Sequence, residues 1–431
     1  MAKLRSLTLD LTPLRTSRDF RLLWSGLTVS AIGSMMTRVA VPLQIYDLTH
    51  SNWKVGLVGG ATLVPTLVCS IIGGAIADVV DRRRMILTVL GIGSVVSLLL
   101  AANSASGMPR LWALYVLAAL SSASGAIGGP AHRSAVPLML PAEQIPAAMA
   151  VQSLTFTSAA AIGPALAGVF FRTIGPSWTY LIDAISFGVC FLGVTGMRPI
   201  ARVTGGGERF HPRLVLEGFS ALRGRHAVQG SFAADFVAMV FGMPTALFPA
   251  VADARFAGHK ELVGLLYAAI PTGMILATVF SGWTRRVSRH GRVVVCSIIV
   301  WGVAITFFGL VGGIVTSLVC LAVAGAADMT SGVSRQAMLQ LATPPHLQGR
   351  MQGVGMAVWI GGPSVGDLEA GVLASVTTVD TSIVVGGVGC VAGIVTLAAA
   401  LPAFRRFDAR TDHALARGSP EEVQSSSSRP S

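Results

Sequence analysis

Twelve apolar stretches of about twenty residues each, separated by short polar breaks, constrain this chain more than any other feature. They run near 20–46, 55–78, 85–104, 110–129, 146–170, 176–196, 227–249, 261–283, 292–313, 315–337, 351–375 and 380–402. As a helix, each is long enough to cross roughly 30 Å of hydrocarbon. In lipid only a helix or a closed barrel satisfies its own backbone, and the alternation of a barrel strand is missing. Charged residues are 12% and hydrophobic residues 52% of the chain, where soluble domains carry about 25% charge. The expectation is an all-α integral membrane protein with twelve transmembrane helices, its glycines and prolines tolerated because neighbouring helices compensate for them.

A net charge of +12 invites a nucleic-acid partner, and the placement of the charge argues against one. If the N-terminus is cytoplasmic and the spans alternate, 26 of the 32 lysines and arginines fall on the cytoplasmic side. Five lie outside (Lys54, Arg110, Arg172, Arg255 and Lys260), and Arg38 lies within a span. Such an excess on one side sets orientation, with both termini in the cytoplasm of a cell (inner) membrane protein. Residues 1–19 lack a compact apolar core with a cleavage site, so no signal peptide is expected. The five cysteines (Cys69, Cys190, Cys296, Cys320 and Cys390) sit in apolar spans without metal-type spacing and read as packing residues. Neither a metal nor a cofactor is expected.

The longest polar interruption, 197–226, holds six arginines and Gly205-Gly206-Gly207. It divides the chain into an N-terminal segment 1–19, a six-helix bundle 20–196, a cytoplasmic linker 197–226, a second bundle 227–402 and a tail 403–431. The tail, with Ser425 to Ser428, lacks the apolar residues to fold and is expected to be disordered. The halves look related. Gly74, Asp78, Arg82, Arg83 and Arg84 after the second span are echoed by Gly282, Arg286, Arg289 and Arg292 after the eighth. Arg133-Ser134-Ala135 matches Arg335-Gln336-Ala337, and Gly163-Pro164 matches Gly362-Pro363, each about 200 residues on. Two repeated six-helix halves suit a transporter with a substrate site between them.

These stretches, with Arg38 to Ile45, Leu266 to Pro271 and Met338-Leu339-Gln340, resemble the major facilitator superfamily of drug–proton antiporter type from about residue 18 to 403. Within it the chain is similar to the siderophore (enterobactin) exporter group. The resemblance implies that Gly74, Asp78, Arg82 and Arg83 form a cytoplasmic gate, whose charges pair across the bundles when the cavity faces outward. Where that motif usually has a basic residue and a Gly, this chain has Val79 and Asp81. The resemblance also makes Gly163, Pro164 and Gly168 an antiporter motif, with Ala159 and Ala167 in place of two glycines. Close helix packing explains the same residues.

Ionisable residues inside spans cost roughly 2.5–3.5 kcal/mol each on insertion scales, so each invites a functional reading. Ser30, Ser34 and Arg38 share one face of the first helix; Ser121, Ser124, Gly128 and His132 share one of the fourth. Ser231 and Asp235 do so on the seventh, as do Asp328, Ser331 and Arg335 on the tenth. By resemblance, these four helices line the cavity. Arg38 keeps its proton, so it needs an acidic partner or an anionic substrate. Asp235, then Asp328, are the candidate proton carriers; the plainer reading is an Arg38–Asp pair that stitches the bundles together. Asp183, Asp367 and Glu369 read as packing or water-exposed groups. Phe232, Phe236, Phe241, Phe248, Tyr267 and Trp359 offer rings that stack on a ligand or fill the core.

Enzyme readings fare poorly. Gly362-Pro363-Ser364-Val365-Gly366 fits G-x-S-x-G but lies in an apolar helix, not a strand–turn–helix. The only lysines are Lys3, Lys54 and Lys260, none in a phosphate-binding loop, so an ion gradient is the expected driver. The leading expectation is a monomeric, proton-coupled exporter of a siderophore, with protons, a small molecule and lipid as its partners. The alternatives are a broad multidrug efflux pump and a non-transporting membrane receptor or scaffold.

Overall fold

A computed structural model describes residues 10–198, 222, 225–280, 282, 287–343 and 347–409. The long helices are α1 (Arg18–Thr49), α2 (Asn52–Val79), α3 (Arg82–Ala105), α4 (Leu111–Ala135), α5 (Ile145–Thr173) and α6 (Pro176–Thr195). The second six are α7 (His226–Arg255, interrupted), α8 (Lys260–Val279), α9 (His290–Leu310), α10 (Ile314–Ala342), α11 (Gln348–Val376) and α12 (Val379–Ala400). Eleven helical segments among the described residues are long and apolar enough to cross a membrane; α11, 29 residues long, packs among them. Large apolar side chains such as Leu99, Leu192, Phe307 and Val319 stand exposed around the outside. On a soluble protein they would be a liability, whereas lipid covers them.

Local chemistry starts and stops the helices. Ser17 Oγ accepts from Phe20 N at 3.2 Å to cap α1, and Thr378 Oγ1 accepts from Thr381 N at 3.1 Å to cap α12. Asp81, which stands where the gate motif usually has Gly, caps α3 by accepting from Arg84 N at 3.0 Å. An acid there satisfies an orphan N–H and faces the positive end of the helix.

The two sets of six helices pack by one plan. In the first set, α1 packs on α5 and α6, α2 on α4, and α3 on α4 and α6. Adding six to each label gives the second set: α7 on α11 and α12, α8 on α10, α9 on α10 and α12. Between the sets the main seams are α2 with α11 and α5 with α8, which exchange under the same rule. The repeat legible in sequence is thus a repeat of packing.

One helix breaks the regularity. The seventh span has a lower segment, α7a (His226–Phe241), a gap at Gly242 to Pro244, a 3₁₀ turn Thr245–Leu247, and an upper segment, α7b (Phe248–Arg255). Side chains take up the backbone groups that the break releases. Trp301 Nε1 donates to Gly242 O at 2.8 Å, and Tyr267 Oη donates to Thr245 O at 2.8 Å. Ala246 N donates to Asp367 Oδ1 at 2.9 Å, and the Thr245 hydroxyl donates to the same oxygen. Unpaired, such groups would each cost about 1–3 kcal/mol when buried. At the far end of α7b, Arg255 donates to Phe308 O, Gly309 O and Val311 O at 2.7–2.9 Å and pairs with Asp380. It closes the C-terminus of α9 onto α12.

The linker 197–226 falls almost wholly outside the described residues. The tail begins later than expected. Residues Pro402–Arg406 form a helical turn whose Phe404 is fully buried. That ring reaches the backbone of α7a at Gly230, and Phe404 O meets α9 at Gly291, where a Cβ would lie within 2.5 Å and 1.9 Å of it. An aromatic side chain buried in this way outweighs the polar composition around it; from 410 onward the tail lies outside the described residues.

Candidate functional site: the space between the bundles

The bundles touch at the end opposite the chain termini. Where α5 meets α8, a Cβ on Gly264 would lie 2.2 Å from Pro164 O, and one on Gly168 would lie 2.7 Å from Glu261 O. Where α2 meets α11, Cβ atoms on Gly59 and Gly56 would lie 2.5 Å from Ser364 O and 2.7 Å from Asp367 O. Only glycine allows such approach. Gly163 serves α1 instead, 2.8 Å by the same measure from Ile32 O. The residues of the antiporter motif are therefore points of close helix crossing.

Polar pairs cover the same end. Asp47 pairs with Lys260, and Arg172 with Glu261. Tyr46 Oη donates to Asp253 Oδ2 at 3.1 Å, His50 Nδ1 lies 3.9 Å from that carboxylate, and His259 Nδ1 lies 2.9 Å from Glu261 Oε1. All the hydrogen bonds and ion pairs found between the bundles among the described residues belong to this cluster. Sequence reasoning counted Arg172 and Lys260 only as loop charges and passed over Asp47, Asp253 and Glu261. Their positions at span ends were the available signal.

Toward the end with the termini, the bundles part. On one face of α4, Leu114 and Ala118 are buried, but Gly125, on the same face, is exposed and Gly129 has nothing near its Cβ position. The expected polar face of α4 is corrected here. Ser124 is buried and donates to Val89 O of α3 at 3.2 Å. Gly128, at a Cβ distance of 2.8 Å from Val89, packs beside it, with His132 one turn on. The small residues seat α4 on α3 and turn the next stripe, Gly125 and Gly129, to the open space. On α1, Ser30 is buried, Ser34 half-buried and Arg38 exposed although it lies mid-helix.

The intramembrane charges sort into three groups. Asp235 of α7a pairs with Arg335 of α10, whose Nη2 lies 3.6 Å from Asp328 Oδ1. One guanidinium therefore serves two carboxylates, all within the second bundle. Asp183 of α6 is buried without a cation and accepts from Thr37 Oγ1 at 2.6 Å, Ser97 Oγ at 2.8 Å and Ser186 Oγ at 3.4 Å. It ties α1, α3 and α6 together, as a packing group. Arg38 makes no ion pair or hydrogen bond among the described residues, so the expected Arg38–Asp stitch is missing. Asp367, which accepts from Ala246 N and the Thr245 hydroxyl, is more than a packing acid. The Gly242-Met243-Pro244 interruption was the sequence signal for the break that it caps.

In the gate loop, Arg82 Nε donates to Ser134 Oγ at 3.0 Å, and Arg83 donates to Val194 O and Thr195 O at 3.1 and 2.6 Å. Both arginines bond within their own bundle at the open end. The surroundings of Gly74 and the side chain of Asp78 lie outside the described residues, as do Arg285 and Arg286 of the second copy. Of the rings, Phe248 is buried edge-on against Tyr267 and Phe308, with centroids 4.9 and 5.8 Å apart, and Phe241 packs on Gly389. Phe236 and Trp359 are exposed. A groove of about 650 Å³ lined by Leu87, Ile92, Val95, Leu99, Leu120 and Phe191 lies on the lipid-facing side, away from these charges. No cluster of metal-binding type occurs among the described residues.

Solved structures share this fold. Over 88% of this chain and 98% of the other, it aligns with the nucleoside transporter NupG at TM-score 0.69 and 13% identity. A transporter of the POT family in complex with 5-aminolevulinic acid gives 0.72 at 12% identity, over 90% and 97%. A bacterial homologue of the human lysosomal transporter Spinster, inward-facing and unoccupied, gives 0.67 at 15%, over 93% and 99%. In sequence, the chain is 30% identical over 414 residues to the enterobactin exporters EntS of Escherichia coli and Escherichia fergusonii, covering 94% of this chain and 96% of theirs. The family model for transmembrane secretion effectors matches residues 8–426. With its packing repeat, its glycine crossings and its parted bundles, the chain belongs to the transmembrane secretion effector family of major facilitator transporters, and it is a multi-pass membrane transporter rather than an enzyme.

Proposed function

We propose that this transporter exports a siderophore in exchange for protons, by alternating access within a single chain. The observation that carries the reading is the Asp235–Arg335–Asp328 cluster. Two carboxylates on one guanidinium leave one negative charge in the membrane interior, and a single proton cancels it. Asp235 is the first candidate for that proton and Asp328 the second. A site whose charge changes by one unit favours different bundle arrangements before and after protonation. The bias of basic residues supports cytoplasmic termini, so the latched end faces outward and the parted end loads from the cytoplasm. In the opposite arrangement Asp78, Arg82 and Arg83 would close the cytoplasmic end. The likeness to enterobactin exporters over nearly the whole chain supports a siderophore as substrate.

The test measures retention of enterobactin-type siderophore in cells lacking this protein, then rescue by the wild type and by Asp235→Asn. Retention on deletion, rescue by the wild type and failure of the variant are expected. Unchanged retention together with new sensitivity to unrelated cationic drugs would replace the siderophore with a multidrug role. Full rescue by Asp235→Asn at every external pH would remove the proton from Asp235.

A further inference from the structure

Arg38 is solvent-accessible in the middle of α1 and has no acidic partner within ion-pair distance among the described residues. That is an expensive arrangement, because an arginine stays charged and a buried charge normally carries its counter-charge with it. The second bundle follows the usual rule, with Arg335 between Asp235 and Asp328. The first bundle could have followed it too. Asp183 accepts from Thr37, the residue next to Arg38, yet its bonds go to three hydroxyls. Asp367 of α11 likewise turns its carboxylate to Thr245 and Ala246 at the α7 break. Arg38 therefore faces the open space with its donors free.

We propose that Arg38 is the substrate-binding cation of the cavity and that it selects molecules bearing an acidic oxygen group. The inference rests on the exporter reading and adds the chemical class of the substrate. A guanidinium presents a planar fork that matches a carboxylate, sulfonate or catecholate. Siderophores grip ferric iron through just such hard oxygen donors.

Arg38→Gln removes the cation and keeps a polar side chain of similar reach. The full-length protein in lipid nanodiscs is titrated by calorimetry with 2,3-dihydroxybenzoate and with its neutral isostere, 2,3-dihydroxybenzamide. Naphthalene-1-sulfonate and naphthalene-1-sulfonamide form a second pair without the catechol. The wild type should prefer the anion of each pair. Arg38→Gln should weaken anion binding about tenfold, with the amides unchanged. Arg38→Lys, which keeps the charge if Arg38→Gln proves unstable, should retain the preference. Discrimination within the sulfonate pair alone removes the siderophore reading and keeps Arg38 in its role. Equal binding of anion and amide in both pairs overturns the inference. So does an Arg38→Gln variant that binds the anions as the wild type does.

Discussion

The two seams that hold the bundles together are equivalent in topology and unlike in chemistry. Where α5 crosses α8, glycine meets glycine: Gly168 and Gly264 bring two backbones together without a side chain between them. Where α2 crosses α11, Gly56 and Gly59 meet Ser364, Asp367 and Gly371. The offset that relates Gly163 to Gly362 is 199 residues, and the same offset relates Gly168 to Asp367. The α5–α8 seam closes on backbone contact, with the Arg172–Glu261 pair at its end. The α2–α11 seam carries a carboxylate that caps the α7 break on its own side. Symmetric packing gives the two halves a shared way to rock, and the asymmetric acid ties one seam to the broken helix.

The largest effect should come from filling the apolar seam. Gly264→Val would place a Cβ 2.2 Å from Pro164 O. Overpacking costs about 1–3 kcal/mol, which here falls on the latched arrangement alone. Spin labels at the ends of α5 and α8 should move apart and transport should fall roughly ten- to hundredfold; an unchanged distance distribution would show that the seam has slack. Next in size is Asp367→Ala, which leaves Ala246 N without its acceptor at a cost of about 1–3 kcal/mol. Thermal melting in detergent should drop by several degrees, and Asp367→Asn should melt near the wild type. Equal melting of both variants would deny the cap. Gly59→Ala should cost about 1 kcal/mol and slow transport less than Gly264→Val does. A larger effect at Gly59 would reverse the ranking of the seams. Smallest is Lys260→Gln, because the Asp47–Lys260 pair is partly exposed and such pairs contribute about 0–1 kcal/mol. It should alter the salt dependence of turnover and leave the melting point in place.

Much of this was legible in the sequence because the bilayer imposes it. Span length, the placement of arginines and the repeated Gly-Pro pairs each follow from one physical demand, so each could be read alone. The site was only partly legible. Asp235, Asp328 and Arg335 each lay on a predicted cavity-lining face, and they meet. The fourth helix was misread by one residue of rotation: Ser124 and Gly128 were taken for cavity residues because they are polar or small, while their size serves contact with Val89. Asp367 was read as a packing or water-exposed group because helical periodicity says nothing about a helix that stops. Its partners, Thr245 and Ala246, are defined by a gap in another span, 121 residues away. The latch acids were missed because a carboxylate at a span end looks the same whether it meets water or a lysine of the other bundle.

Phe404, wedged at Gly230 and Gly291, makes the broken seventh helix into a lever with one arm fixed. The lower arm is pinned by a ring from the far end of the chain and cannot swing apart from α9. The upper arm is eight residues long, carries Asp253 to the latch, and joins the lower one through a turn that side chains can hold or release. Bending during the cycle should therefore concentrate above residue 242. A fusion or truncation at the C-terminus would be felt there, half a membrane away, as a loosened fulcrum.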